Sequence, residues 1–267
     1  MVDFSVLLDI KEEEKRVKKL YDLINEDVRL NRSKGARVEF LTTVHYIEQV
    51  LKEGDKILDI GAGAGEYSLY FAKKGYDVTA LELSESNIRA FEKKIEPQMN
   101  LKLSQGNAKN LSAYADKSFD IVLLFGPLYH LEAKEDRNQC LKEAKRVCKD
   151  DGTIFIAYIQ NDMVILTELM YDKNYLKSDL YDHDTFKVKN FPFVFFTIDK
   201  MRDMLTNNGF EIVKEVASDG VSELLEEEIN QLDEISYEQY IKYHFYVCEK
   251  KEMLGYSNHL LFVTKKK

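Results

Sequence analysis

The residues with the clearest chemical promise stand where an apolar run meets glycines, in Ile57-Leu-Asp-Ile-Gly-Ala-Gly-Ala-Gly-Glu66. A strand entering glycines and then a helix brings backbone N–H groups and a helix N-terminus close to a ligand. Glycine is needed because such a turn demands unusual dihedrals and any β-carbon would hold the ligand off. The spacing is Asp59-x-Gly61-x-Gly63-x-Gly65. The dinucleotide fingerprint G-x-G-x-x-G/A would place its third position on Glu66, where a carboxylate would face a pyrophosphate. That excludes NAD as a good fit. A tight turn serving only helix–strand packing is the competing reading of the three glycines.

Further candidates follow in chain order. Glu82 ends the run Val78-Thr-Ala-Leu-Glu-Leu83, and Asn107 stands in Gly106-Asn-Ala108. Ser118-Phe-Asp-Ile-Val-Leu-Leu-Phe-Gly-Pro-Leu-Tyr-His-Leu131 carries Phe125, Gly126, Tyr129 and His130 just past an apolar core. Each has a plainer alternative. Glu82 would serve as a solvated strand-end acid, Asn107 as a turn residue bonding its own backbone, and His130 as a buried, satisfied histidine. His45, His183, His244 and His259 have no partner at metal-ligand spacing, and Cys140, Cys148 and Cys248 form no C-x-x-C pair, so no metal is expected.

In this order and spacing the features resemble the class I S-adenosylmethionine-dependent methyltransferases. The resemblance covers residues 54–160, and more loosely 197–267. It implies S-adenosylmethionine as cofactor and S-adenosylhomocysteine as product, with Asp59, Gly61, Ala62 and Gly63 around the methionine end. Glu82 would accept the ribose hydroxyls, Leu83 would lie beside the adenine, and Asn107 with Ala108 would read its edge. Asn107 stands where the family usually has Asp, and Asp150-Asp-Gly152 where it usually has Pro-Gly-Gly. Phe125 and Gly126 would offer backbone to the amino-acid end. Tyr129 would position the acceptor, and His130 would either take its proton or hold the loop.

The acceptor is narrowed by exclusion. Gly126-Pro-Leu-Tyr129 lacks the Asp/Asn-Pro-Pro-aromatic motif that resembling enzymes use on exocyclic base amines, and no cysteine follows strand four or five as base-carbon methylation needs. Thirty-eight Lys and Arg against 47 Asp and Glu leave a net charge of −9, which opposes nucleic acid and anionic membranes. A small-molecule acceptor is expected. The alternatives are a protein or RNA methyltransferase and a non-catalytic S-adenosylmethionine-binding protein.

These residues must be held by regular elements. Val17, Leu20, Tyr21, Ile24 and Val28 recur at helical spacing until Gly35 breaks the pattern, and a second helix carries Phe40 to Leu51 as far as Gly54. From residue 56 strands and helices alternate: strands at 56–60, 77–83, 101–103, 119–125 and 153–159, helices at 66–74, after a Ser84 cap, and at 135–148, with a turn at 150–152. The alternation implies an α/β, doubly wound, mostly parallel sheet of seven strands, Rossmann-like, with N-terminal helices and helical lid additions. Residues 161–196 show no period but many aromatics, which predicts a lid, although Phe191-Pro-Phe-Val-Phe-Phe196 reads equally as packing. Thr197 caps a further helix, a strand spans 210–216, a helical insertion occupies about 221–250, and a strand spans 260–264.

We read one domain: a helical cap (1–53), a cofactor-binding core (54–160), the lid (161–196) and closing strands (197–267). The acidic run near Glu226 reads as a solvated helix face. At 267 residues, 45% of them apolar and 32% charged, the chain has ordinary globular composition. The start lacks the order of a signal peptide and no apolar run nears the roughly 18 residues of a membrane helix. With three unpaired cysteines this predicts a cytoplasmic protein. The oligomeric state is left open.

Overall fold

The apolar runs become strands of a single sheet in the computed structural model, which describes residues 4–24 and 26–267. They are β1 (Lys56–Ile60), β2 (Asp77–Glu82), β3 (Leu101–Gln105), β4 (Phe119–Leu124), β5 (Cys148–Gln160), β6 (Phe195–Phe196), β7 (Phe210–Ala217) and β8 (His259–Lys266). Their order is β3-β2-β1-β4-β5-β8-β7, with β6 against the end of β5. Pairings from β3 through β6 are parallel; β8 runs antiparallel to both β5 and β7. This is the doubly wound, mostly parallel sheet that the alternation implies, its seven-strand path extended by the two-residue β6.

Helices cover the sheet: α1 (Glu13–Leu23), α2 (Lys34–Glu48), α3 (Glu66–Lys73), α4 (Glu85–Glu92), α5 (Lys134–Val147), α6 (Asn161–Tyr171), α7 (Ile198–Asn207), α8 (Glu226–Asn230), α9 (Glu234–Val247) and α10 (Lys251–Leu254). Coverage on both faces is why the central strands read as unbroken apolar runs rather than alternating ones. Ile57, Leu58, Val122, Leu123, Leu124, Phe155 and Ile156 are completely buried. The chain leaves β1 toward β2 and β3, then returns to build β4 and β5 on the other side. Ligands of such sheets bind beyond the strand C-termini at this reversal, between β1 and β4. None of the described helices is long and apolar enough to cross a membrane.

Several local expectations are corrected. Gly35 does not break a helix; it lies in the first turn of α2, whose Ser33 cap accepts from Ala36 N–H at 3.0 Å. Its own N–H donates to Asn230, so it is a point of close approach to the insertion. Ser84 occupies the cap position of α4 without the capping bond, because its hydroxyl pairs with that of Ser86. The turn at 150–152 is absorbed into β5 as a register irregularity between the pairs Phe119–Cys148 and Ile121–Thr153. Residues 161–196 are not irregular throughout: α6 fills 161–171, its consecutive Met163, Val164, Ile165 and Leu166 having hidden the period. Val164, Tyr175, Tyr181, Val188 and Phe195 form a small core of their own. Buried Asn161 ties this segment together, accepting from Val188 N–H at 3.0 Å and donating to Phe186 C=O at 2.9 Å. Glu226 is half-buried rather than solvated, since Arg32 and the Ser33 hydroxyl both donate to it.

Candidate functional site

The glycine loop leaves β1 and is held by its neighbours before any ligand arrives. Gly61 and Ala62 both donate to Leu81 C=O, at 2.7 and 3.0 Å, and Gly65 donates to Ala62 C=O at 2.9 Å. Gly63 N–H donates to Glu82 Oε2 at 2.7 Å. The expected row of bare amides is therefore corrected: these four are spent within the protein. The glycines differ in why they are glycines. Gly65 has φ +88°, and a β-carbon there would stand 2.4 Å from the Phe91 ring. Gly63 has φ +56°, and its nearest obstacle would be Glu26 Cγ at 3.4 Å. Gly65 serves packing; Gly63 faces open space.

Two acids sit beneath this loop. Asp59 is buried and accepts from the Ser68 hydroxyl at 2.7 Å. Burial pushes its pKa up to about 7, with Ser68 pulling it down and nearby Glu82 adding to the rise. Glu82 is 4% exposed; besides Gly63 it takes Ser84 N–H at 2.8 Å and the Asn87 amide at 3.3 Å. Burial raises its pKa as well, against these hydrogen bonds. A carboxylate has about four acceptor positions. Three are filled, which leaves one on Oε2.

Two adjoining lobes open beyond β1, β2 and β4, sharing Tyr21, Gly61 and Gly126. The first has Glu82, Leu83, Gly106, Asn107, Ala108 and Pro127 as its floor, and Glu13, Glu14 and Val17 of α1 as its roof. Asn107 lies in it but is occupied. Its Oδ1 accepts from Lys109 N–H at 2.9 Å, and its amide donates to Glu14. This is the geometry of a turn residue, with the side chain spent in both directions.

The second lobe is lined by Asp59, the glycine loop, Phe125, Tyr129 and Tyr67. Its remaining wall comes from a segment the motifs did not mark: Tyr21, Glu26, Arg29 and Leu30. Arg29 is the single cation lining either lobe among the described residues. Its Nε donates to Glu26 at 2.8 Å, and its terminal nitrogens donate to both oxygens of Glu39 at 2.7 and 3.2 Å. Behind Glu39, His259 Nδ1 lies 3.6 Å from Glu39 and 2.9 Å from Asp219. Burial opposes a charged ring, yet Glu39 and Asp219 outweigh it and drive the His259 pKa up to about 9. Spacing in the sequence showed no partner for His259. The fold supplies two, and the three residues offer one possible metal-ligand atom each within 4.8 Å of one another.

Tyr129 and His130 follow β4 in a single helical turn, Pro127–Tyr129. His130 is buried, and its Nε2 is 2.8 Å from the Tyr21 hydroxyl. Burial alone pushes its pKa down to about 3, so the ring is neutral at physiological pH. Tyr129 is half-buried with its pKa raised, chiefly by burial. Phe193 packs on both rings, at 6.0 and 5.3 Å between centroids, and Val194 N–H donates to Tyr129 C=O at 2.8 Å. The aromatic stretch therefore packs and also borders the site. Tyr21, read from its spacing as part of an apolar helix stripe, joins the two lobes; Glu26, Arg29 and Glu39 carried no pattern at all.

Comparison with known proteins agrees with this architecture. Residues 58–156 match the family model of the methyltransferase domain. The putative methyltransferase YqeM of Bacillus subtilis is 25% identical over 198 residues, 62% of this chain and 78% of that protein. Glycine/sarcosine N-methyltransferase of Aphanothece halophytica is 28% identical over 123 residues, 45% of this chain and 46% of that protein. This and two further curated relatives are matched over less than half of their own length. Among solved structures, the [4+2]-cyclase SpnF superposes with a TM-score of 0.61 at 17% identity, over 95% of this chain and 96% of that one. That likeness is one of fold alone. The matched segment spans the glycine loop, Glu82 and β4, so residues 58–156 carry a methyltransferase domain.

Proposed function

We propose that the acceptor of this methyltransferase is a small molecule, and that cofactor and acceptor share the two lobes joined at Tyr21. The observation that carries this reading is the aromatic lining of the second lobe. Tyr67, Phe125, Tyr129 and Tyr21 line it, and Arg29 is its single cation among the described residues. A groove beyond α3 does carry Arg37, Lys73, Lys93 and Lys94. Of these, Lys73 pairs with Glu96 and Lys94 with Asp27 and Glu66, so the groove lacks the free basic stripe that a polyanion needs.

The residues present fit the cofactor. The first lobe offers an apolar slot beside Leu83 and Ala108 with the open acceptor of Glu82 at its edge, which suits an adenine and a ribose hydroxyl. The second offers Asp59 for an ammonium group. When bound, the sulfonium supplies an activated methyl group for in-line displacement. The chain's own task is to align the acceptor and exclude water. Tyr129 is the side chain we place against the acceptor. The bond with Tyr21 and the low pKa support a positioning role for His130 over that of a base. Within this reading α1 roofs the adenosine side, and the segment 161–196 walls the acceptor side through Phe193.

The test is transfer of a labelled methyl group from S-adenosylmethionine, with a metabolite extract, total RNA and total protein as separate acceptors. Label in the metabolite fraction alone is the expected result. Label in RNA or protein would overturn the acceptor class, and binding without turnover on any fraction would favour the non-catalytic reading.

A further inference from the structure

A further cavity lies between the end of β7, α9 and α10, and shares no lining residue with either lobe. Tyr240, His244 and Cys248 line it from α9, each one turn beyond the last, and Met253 lines it from α10. Residues four apart on a helix lie on one face. Cys248 N–H donates to His244 C=O at 2.8 Å, so the helical spacing holds to the end of α9, and Cys248 C=O accepts from Ala217 N–H of β7. His244 is 2% exposed and Cys248 is fully buried. The sequence pattern predicts no metal here, since neither residue has a like partner; α9 pairs the two unlike ones.

His244 Nε2 is buried without a partner, and so is the Tyr240 hydroxyl. The backbone of Ala217 and Ser218 bonds the ring from its other side. Gly220 makes room for it: a β-carbon there would stand 3.0 Å from the ring's Cε1 and 3.1 Å from Nδ1. With one nitrogen spent on carbonyls, such a ring presents the lone pair of the other, which is how metal-ligating imidazoles are usually held. Burial pushes the His244 pKa down to about 4, so the ring is neutral and able to ligate at pH 7. The donors lining the cavity are then an imidazole, a thiol and a thioether, with no carboxylate among the described lining residues. That set is soft. It suits Cu(I) and offers little to Mg²⁺ or Ca²⁺, which take oxygen ligands. Charge also favours a monovalent ion. One thiolate neutralises one unit, whereas Zn²⁺ would leave a buried net positive charge.

We propose that His244 Nε2, the Cys248 thiolate and Met253 Sδ form a binding site for a soft monovalent cation, Cu(I). The site stands independently of the acceptor reading above. As the copper–sulfur bond forms, the S–H bond breaks and its proton leaves to solvent, with no change in the oxidation state of the metal. Burial holds the Cys248 thiol pKa up, so that proton is present at pH 7. The Tyr46 hydroxyl, 3.2 Å from Cys248 Sγ and 2.8 Å from Glu249, can turn to donate to the thiolate. The bound ion would tie α9 to α10 beside β7.

The experiment titrates the full, reduced chain with Cu(I) under nitrogen, in competition with a coloured Cu(I) chelator. One ion should bind per chain, and calorimetry in two buffers should show one proton released per ion. Cys248→Ser and His244→Asn should each weaken binding by more than about a hundredfold, beyond the loss typical of residues that only orient a ligand. Met253→Leu conserves volume and so keeps the fold; it should weaken binding by roughly tenfold. Cys140→Ala, which does not line the cavity, should change nothing. No binding by wild type, or unchanged affinity in Cys248→Ser or Met253→Leu, overturns the site. So does loss of binding in Cys140→Ala that circular dichroism shows to be folded. Zn²⁺ bound as tightly as Cu(I) would overturn the choice of a monovalent ion.

Discussion

The two lobes that meet at Tyr21 are built by opposite strategies. The lobe proposed for the adenosine takes its floor from strand tips and the loops directly after them: Glu82 and Leu83 at the end of β2, Gly106 to Ala108 after β3, Gly126 and Pro127 after β4. The second lobe adds long side chains from a segment some thirty residues upstream of the glycine loop, Glu26 and Arg29, braced by Glu39, Asp219 and His259. One lobe is made of local backbone, the other of distant side chains. Local backbone leaves a spacing that can be read; a distant side chain leaves none.

The glycine loop serves both lobes, so the largest effect comes from breaking it where it packs. Gly65→Ala combines a left-handed backbone with a β-carbon driven into the Phe91 ring. We expect a loss of about 2–5 kcal/mol in urea denaturation, the sum of the backbone penalty and overpacking. Gly63→Ala meets only Glu26 Cγ at ordinary contact distance and should cost about 1–2 kcal/mol. Bulkier Gly63→Val should instead abolish cofactor binding in a folded protein. Equal destabilisation at Gly63 and Gly65 would show that the loop packs uniformly, and the ligand-facing role of Gly63 would be lost.

Next in size is Glu82, which ties the loop to the adenosine floor through Gly63 and Ser84. Glu82→Ala should weaken S-adenosylhomocysteine binding by roughly ten- to a hundredfold, equivalent to about 1.5–3 kcal/mol for a charged acceptor. Asn107→Ala should do far less, because that side chain already spends its bonds on Lys109 and Glu14. Normal affinity in Glu82→Ala would remove the acid from the ribose and with it the contrast between the lobes.

The sheet was legible because burial on both faces writes itself into unbroken runs such as Ile121-Val-Leu-Leu124. The pairing of the glycine loop with Glu82 was legible because it depends on order along one stretch of chain. Residues 161–171 were not, since four consecutive apolar residues carry no helical period even when they form a helix. Arg29 was illegible for another reason. Its meaning arises only when β8 brings His259 against Glu39, some 220 residues away in the chain. His130 shows the same limit, because its partner Tyr21 had a sufficient explanation as an apolar helix residue.

A third effect depends on pH and bears on the second lobe. In the unfolded chain Asp59 would lose its proton near 3.8, whereas the folded protein holds it up to about 7. The native state binds the extra proton between those values, so Asp59 lowers stability progressively as pH rises from about 4 to 7, and no further above that. An incoming ammonium group favours the ionised form. Cofactor affinity should therefore rise by up to about tenfold per pH unit below 7 and level off above it. Asp59→Asn should flatten this profile. A flat wild-type profile between pH 5.5 and 8, measured by calorimetry, would mean that the acid does not face the ligand's charge.

The smallest effect is expected where the lobes join. Tyr21→Phe deletes the 2.8 Å bond to His130 Nε2 while keeping the ring, and leaves the bond from the Ser86 hydroxyl to Tyr21 C=O intact. His130 Nδ1 has no partner already, so the variant leaves both ring nitrogens unpaired. Leaving a buried donor or acceptor unsatisfied costs about 1–3 kcal/mol, part of which a relaxing loop or a water recovers. We expect a stability loss near 1 kcal/mol and a rise of a few-fold in KM for the cofactor, with kcat within about a factor of ten. These values follow if His130 only holds the loop that carries Tyr129. If His130 takes the acceptor's proton, its basicity matters, and Tyr21 controls it directly. Loss of a general base typically lowers the rate by about 10²–10⁴. A hundredfold fall in kcat for Tyr21→Phe, matched by His130→Ala with cofactor affinity preserved in both, would move the pair from scaffold to chemistry. It would also make the junction, rather than either lobe, the centre of the reaction.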